Sequence, residues 1–244
     1  MNQERISRRN LPHWYMPGAM HFITFRLAGT IPNEVLERLY ARKVDLLNRP
    51  NPGESKTQHR ERVHKHLFQE YDAYLDRNRE IHWLEDPRVA SLVRRSLYYW
   101  HGRKYALLCW CIMSNHVHVL LQPLGSINIA LRDTSDVGES DDSRSPLAEI
   151  MHSLKSYTAH EANKLLRRSG SFWQHESYDH WIRDEDELER IVEYINANPI
   201  SAGFDRRSHE YLWCAAHDRF LYDGDTSGWL CEQASAAAKL PFRG

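Results

Sequence analysis

The chain has 244 residues, a formal net charge of −1 at pH 7 and 41% hydrophobic residues. This length allows one good-sized domain or two small ones with a buried core. A net charge close to zero argues against a protein that coats nucleic acid non-specifically. No apolar run approaches the roughly 20 residues of a membrane span, and the N-terminus lacks the apolar core of a secretion signal. We therefore expect a cytoplasmic protein without a membrane partner.

Hydrophobic periodicity and turn residues predict the elements in chain order. They are a strand at 21–27, helices at 33–48, 57–77 and 87–101, a strand hairpin at 105–122, a long helix at 146–168, an extended segment at 171–183, and a helix that starts at Asp184 and ends at Asn198-Pro199. The stretch from Gly125 to Pro146 is rich in Ser, Asp and Gly, which is typical of a loop. We predict one domain over 1–205, with a helical insertion at about 50–100, and a tail over 206–244 packed on it.

The hairpin carries two histidines, His116 and His118, separated by one valine. Side chains alternate along a strand, so the two imidazoles share one face while Val117 and Val119 point the other way. Such a pair suits one metal ion or one phosphate. The alternative is a pair of half-exposed strand histidines without a ligand.

The long helix carries the best partners for this pair. Its predicted core stripe includes Leu154 and Thr158, and three polar residues lie along one flank of that stripe: Tyr157, Glu161 and Lys164. Two imidazoles leave a metal ion short of a third ligand, usually an oxygen donor, and Glu161 can supply it. His160 points further from the core and is the weaker candidate. Tyr157, one turn earlier, would then lie beside a metal-bound phosphate and could act as a nucleophile.

Several alternatives remain open at this point. Tyr178 and Tyr194 are rival tyrosines, but neither is followed one turn later by a potential ligand on a clear helix face. Asn115 either orients a histidine or makes the turn, and the turn is the simpler interpretation. Basic residues are candidates for DNA contact if they converge on the histidines. They are Arg5, Arg8 and Arg9 in an N-terminal arm, and Lys155, Lys164 and Arg168 in the long helix and its end.

Five segments together resemble REP-associated tyrosine transposases, which belong to the single-tyrosine branch of the HUH endonuclease superfamily. The segments are H-W-Y-M-P-G-A-M-H-F-I-T-F-R-L, the H-V-H strand, S-L-K-S-Y-T-A-H-E-A-N, F-W-Q-H-E-S-Y-D-H-W-I-R-D and Y-I-N-A-N-P-I-S-A-G-F. They follow the family's order from about Pro12 to Phe204. The H-V-H triplet alone is a weak signal, whereas the set is specific.

The resemblance implies an α+β, ferredoxin-like domain with an antiparallel sheet, of the single-tyrosine HUH transposase type. It implies cleavage of single-stranded DNA near a hairpin of a palindromic repeat, with Mg²⁺ or Mn²⁺ held by His116 and His118. Tyr157 would attack the phosphate and leave a 5′-phosphotyrosine and a free 3′-OH. The family's third ligand is a polar residue one turn after the tyrosine, often glutamine, and Glu161 occupies that place here.

Two other functions compete with this one. A domesticated descendant would hold a DNA or RNA hairpin and regulate without cutting, and a zinc-dependent hydrolase would cut without forming an adduct. The sequence is compatible with a monomer and with a homodimer that exchanges tyrosine helices. It gives neither the DNA sequence that is cut nor a role for the insertion at 50–100.

Overall fold

The computed structural model describes residues 16–78, 80–124 and 145–218. Its elements in chain order are β1 (His21–Arg26), α1 (Asn33–Leu47), α2 (Lys56–Arg77), α3 (Pro87–Tyr99), β2 (Tyr105–Ile112), β3 (His116–Pro123), α4 (Pro146–Leu165), β4 (Tyr178–Trp181) and α5 (Glu185–Ser201). No helix within these ranges combines the length and the apolar character that a membrane crossing requires.

The four strands form one sheet in the order β2-β3-β1-β4, and every neighbouring pair is antiparallel. Strands β2 and β3 are a hairpin, as predicted, whereas β1 and β4 reach their places through helical crossovers. This order and connectivity define a ferredoxin-like α+β sheet. The predicted fold class is therefore confirmed.

The two faces of the sheet have different coverings. The histidine face carries His116 and His118 together with their register partners Arg26 and Thr24. The valine face carries Val117 and Val119, because neighbours along a strand point in opposite directions.

Helix α4 covers the valine face. Ile23 pairs with Val119, and it lines a groove of about 770 Å³ together with α4 residues that include Met151 and Lys155. Helix α3 packs against α4.

Helices α2 and α5 cover the histidine face. Phe22 of β1 has its ring 5.4 Å from the ring of Phe68 on α2 and 5.9 Å from that of Tyr194 on α5. A bound ion or substrate on the histidine face would therefore lie under α2 and α5.

Helices α1 and α2 form a hairpin with an apolar cluster of its own. Ile31, Val35, Tyr71 and Leu75 pack together apart from the main core. Ser55 begins α2 with a capping box, since its side chain accepts from the Gln58 amide while the Gln58 side chain accepts from the Ser55 amide. The hairpin is thus a locally stabilised unit placed over the histidine face.

The predicted end of the last helix was wrong. Helix α5 continues through Asn198 and Pro199 to Ser201. Proline has no amide hydrogen, so Pro199 cannot donate to Ile195, but only two helical residues follow it. The last turn therefore survives the loss of one hydrogen bond, and Asn198 lies on the helix. Within the predicted extended segment at 171–183, β4 is the continuous strand, and Trp173 forms an isolated bridge with Leu27.

The described part of the predicted tail packs along β2 and α3. The Ile112 amide donates to the Trp213 carbonyl at 2.8 Å, and the Tyr211 hydroxyl donates to the Ile112 carbonyl at 2.8 Å. Asp218 accepts from Arg94 at 3.0 Å. Residues 219–244 lie outside the described ranges, so a tail over 206–244 as a whole stays a prediction.

Candidate metal centre and active site

The two histidines of β3 are buried side by side. His116 and His118 are 1% and 0% exposed, and their Nε2 atoms lie 3.0 Å apart. Burial lowers the pKa of His116 to about 3, and burial followed by the neighbouring His116 lowers the pKa of His118 well below its usual range. Both rings are therefore neutral at pH 7. At this distance, an Nε2–H of His118 can donate to His116 Nε2, and with both Nε2 atoms unprotonated their lone pairs converge on a position for a shared cation.

The opposite ring nitrogens are held by side chains that fix the orientation of the pair. Asn115 Oδ1 lies 2.7 Å from His116 Nδ1, while its Nδ2 donates at 2.8 Å to the carbonyls of Leu75 and Asn78. An amide oxygen can only accept, so His116 Nδ1 carries the proton and Nε2 presents a lone pair. Thr24 Oγ1 lies 2.8 Å from His118 Nδ1 and can accept a hydrogen bond from it, which would leave the lone pair of His118 on Nε2. Asn115 thus orients a histidine in addition to making the turn.

A carboxylate from α2 completes a group of three ligands. Asp72 Oδ1 lies 3.5 Å from His118 Nε2 and 4.0 Å from His116 Nε2. This oxygen is buried and accepts no hydrogen bond among the described residues. One ligand atom of each of the three residues lies within 4.8 Å of the other two. Two imidazole nitrogens and one carboxylate oxygen around a common point fit a divalent cation.

Burial raises the pKa of Asp72 to about 7. In the protein without a bound cation, this carboxyl group is therefore close to half-protonated at neutral pH. A cation between the histidines would favour its charged form, because an opposite charge nearby stabilises the carboxylate.

A tyrosine of α5 lies against this group. The ring of Tyr194 is 5.4 Å from that of His118, and its hydroxyl donates to Asp72 Oδ2. Burial, and then the Asp72 carboxylate, raises the pKa of Tyr194 above its ordinary value, so the phenol keeps its proton here. Asn198 follows one helical turn later, and its buried Oδ1 accepts no hydrogen bond among the described residues.

The predicted partners Tyr157 and Glu161 lie elsewhere. Tyr157 is 57% exposed on α4, the helix that covers the valine face. The carboxylate of Glu161 accepts from Lys164 at 2.9 Å and lies 3.8 Å from His160 Nε2, within the same helix. Within one chain, the structure does not bring either predicted residue to the histidine pair. It places Tyr194 and Asp72 there instead.

The three predicted DNA-binding residues that the structure describes do not converge on the histidines. Lys155 donates to the His175 carbonyl at 2.8 Å, and burial lowers its pKa to about 8. Arg168 stacks on Trp83 at 3.6 Å from the ring centre. Lys164 is exposed beside Glu161. Arg5, Arg8 and Arg9 lie outside the described residues, so their DNA contact stays a prediction.

The sequence carried a usable signal for Tyr194 but none for Asp72. Tyr194 and Asn198 have the same spacing as Tyr157 and Glu161, and Asn198 lies on the helix one turn after the tyrosine. Asp72 lies in the insertion at 50–100, which was assigned no chemistry. Nothing in the sequence shows which of the charged residues of α2 points at the sheet.

The fold and the site together define a ferredoxin-like domain with a buried Asp–His–His group beside a tyrosine. No family model and no curated protein sequence matches this chain. A similar solved structure is that of a REP-associated tyrosine transposase bound to a REP hairpin. The two chains share 15% sequence identity with a TM-score of 0.49, over 87% of this chain and 85% of that one. That protein is of the family which the sequence motifs resemble.

The hydroxyl of Thr24 offers a test of the metal centre. We expect Thr24→Val to weaken Mn²⁺ binding by about 10-fold or more, because His118 loses the partner that orients it. Isothermal titration with Mn²⁺ measures this. Thr158→Val is the matched control, since Thr158 is also fully buried but its hydroxyl accepts from Trp173 on the valine face. Equal losses in both variants would contradict the role of Thr24.

Proposed function

We propose that this protein is a divalent-metal-dependent endonuclease and strand transferase. Its substrate is single-stranded DNA near a repeat hairpin, and its reaction is of the transposase type. The observation that carries the proposal is the burial of two histidines, a carboxylate and a tyrosine hydroxyl in one cluster on the histidine face. The motifs that resemble REP-associated tyrosine transposases supply the class of substrate.

His116, His118 and Asp72 would hold the metal ion. When bound there, Mg²⁺ or Mn²⁺ would supply Lewis-acid chemistry that favours phosphoryl transfer. Both are hard cations that prefer oxygen ligands, and Asp72 provides one beside the two imidazoles. Asn115 and Thr24 keep the two rings turned so that their Nε2 atoms face the ion.

Tyr194 would be the nucleophile. Its phenolic oxygen attacks the phosphorus, a new ester bond forms, and the bond from phosphorus to the 3′ oxygen breaks. The phenol gives up its proton and the leaving oxygen gains one, so the products are a 5′-phosphotyrosine and a free 3′-OH. The new ester conserves the free energy of the phosphodiester, which allows a second strand to be joined by the reverse reaction.

Tyr157 with Glu161 is the alternative assignment of nucleophile and third ligand. It rests on sequence spacing, and it requires α4 to meet the histidine face of a second chain in a homodimer. Lys164 is exposed two turns after Tyr157 and would contact DNA in that assembly. The basic arm with Arg5, Arg8 and Arg9 would contribute contacts to the hairpin in either arrangement.

A gel assay for a covalent adduct tests the proposed function. The wild-type protein is incubated with a pool of DNA hairpins that carry randomised single-stranded flanks, with Mg²⁺, Mn²⁺ or EDTA. We expect a denaturant-resistant protein–DNA species with either metal and none with EDTA. Cleavage without an adduct would indicate a metal-dependent hydrolase. Hairpin binding without cleavage would indicate the domesticated regulator.

A further inference from the structure

The Asp72 carboxylate bridges the two positions that a reacting phosphate must bridge. Its Oδ1 faces the Nε2 atoms of His116 and His118, where the cation fits, and its Oδ2 accepts from the Tyr194 hydroxyl. A phosphate in the proposed reaction needs one oxygen on the cation and its phosphorus about 3–3.5 Å from the attacking phenol oxygen. The same small volume cannot hold both groups.

We propose that Asp72 occupies the place of the scissile phosphate in a closed state, and that single-stranded DNA enters by displacing the α1–α2 hairpin. This inference rests on the proposed function, since it assigns the substrate's phosphate to the same site. Asp72 is then a ligand that the free protein uses and that the DNA replaces.

The burial of the cluster supports a closed state. The two histidines are at most 1% exposed and Asp72 is 7% exposed, so a phosphodiester with its two sugars has no route to them here. Phe68 of α2 adds to the cover, with its ring 6.4 Å from that of His118 and 5.6 Å from that of Tyr194. The side chain of Asp72 is short, so its departure requires movement of α2 itself.

The α1–α2 hairpin is built to move as one body. Its apolar cluster of Ile31, Val35, Tyr71 and Leu75 is separate from the main core, so the hairpin keeps this cluster when it leaves the sheet. A displacement therefore costs the contacts across the histidine face and leaves the packing between α1 and α2 in place.

Besides the Tyr194–Asp72 hydrogen bond, polar contacts hold the α1–α2 hairpin near both ends of α2. At the C-terminal end, Asn115 binds the carbonyls of Leu75 and Asn78, and the Asn78 side chain donates to the Thr30 carbonyl at 2.6 Å. Toward the N-terminal end, Glu61 forms an ion pair with Arg183. The two ends are roughly 25 Å apart along the helix. The contacts of Asn115 and Asn78 are suited to act as the pivot about which the hairpin turns. The Glu61–Arg183 ion pair is suited to act as the latch that opens when the hairpin is displaced.

The inference predicts opposite effects of one substitution on metal and on DNA. Asp72→Ala should weaken Mn²⁺ binding without DNA, because one ligand is lost. It should tighten DNA binding at saturating Mn²⁺ on the order of tenfold, because the DNA no longer has to displace a competing carboxylate. Asp72→Asn is the isosteric second variant and should shift both affinities in the same directions. If Asp72 were instead a ligand that the DNA complex needs, Asp72→Ala would bind DNA more weakly, with no gain.

The measurements are made in a Tyr194→Phe background, so that DNA binds without being cut. Fluorescence anisotropy with the hairpin pool compares Asp72→Ala with Glu70→Ala, which removes an exposed carboxylate from the same helix. Glu61→Gln loosens the latch far from the metal ligands and should also tighten DNA binding, while Mn²⁺ binding stays as in the parent. Unchanged or weaker DNA binding in Asp72→Ala would overturn the proposal.

Hydrogen exchange provides a second readout that does not depend on catalysis. DNA binding should accelerate exchange of the α2 amides (Lys56–Arg77) and leave those of α3 (Pro87–Tyr99) unchanged. Protected α2 amides in the DNA complex would refute the displacement. If α2 opens and the wild-type protein forms no adduct, the proposed cleavage fails while this inference holds. If no variant binds DNA, both fail.

Discussion

Tyr194→Phe should lower the rate of adduct formation by at least about 1000-fold, as expected when the nucleophile of a covalent mechanism is removed. The substitution deletes one oxygen and keeps the ring against His118 and Phe68, so the packing of α5 is preserved. Asp72 Oδ2 loses its donor, and a cation at the histidines remains to balance the charge. The adduct gel with Mn²⁺ measures the rate, and anisotropy confirms that the hairpin DNA still binds.

Tyr157→Phe is the matched control, and it decides between the two assignments. Tyr157 is exposed on α4, so this variant should form the adduct at the wild-type rate. The reverse result, with an inactive Tyr157→Phe and an active Tyr194→Phe, would show that the nucleophile comes from α4. Mixing an inactive Tyr157→Phe protein with an inactive His118→Ala protein would then restore activity if α4 acts across a homodimer.

His118→Ala should abolish the adduct and weaken Mn²⁺ binding by about 100-fold or more. Loss of an outer partner of a metal ligand already costs about 10–100-fold in affinity, and loss of the ligand itself should exceed that. Titration calorimetry with Mn²⁺ measures the affinity at pH 8, where burial no longer keeps Asp72 protonated, since its pKa is raised only to about 7.

His21→Ala is the control for burial alone. His21 is also a fully buried strand histidine, but it pairs with Leu121 and lies on the valine face. We expect this variant to lose stability while it keeps its Mn²⁺ affinity. If His118→Ala binds Mn²⁺ as tightly as the wild-type protein does, the metal centre proposed on the histidine face is refuted.

The fold could be predicted further from the sequence than the site could. Alternation along β3 correctly put His116 and His118 on one face, because the period of a strand is a local property. The β2–β3 hairpin and the core stripe of α4 were predicted from the same kind of local pattern. Motif resemblance then supplied the ferredoxin-like topology, which the sheet order confirms.

The partners of the histidines depended on contacts that local patterns do not encode. Asp72 is more than forty residues from His116, and its approach depends on how α2 lies over the sheet. The spacing of Tyr194 and Asn198 is visible in the sequence, and the structure shows that α5 continues past both residues to Ser201. Helix α4 satisfied the spacing rule and packs on the other face, which no periodicity within α4 could reveal.

Asn115 links the shape of the cover to the chemistry beneath it. Both of its amide hydrogens are used by the end of α2, and its oxygen is used by His116. A shift of those two carbonyls therefore moves the Asn115 side-chain amide. The oxygen of this amide determines which nitrogen of His116 carries the proton. The coupling is reciprocal. A metal ion that requires the Nε2 lone pair therefore stabilises the packing of α2 on the sheet by the same free energy by which that packing favours metal binding. Metal binding and the packing of α2 on the sheet then form one thermodynamic cycle, and the buried Asn115 couples the two.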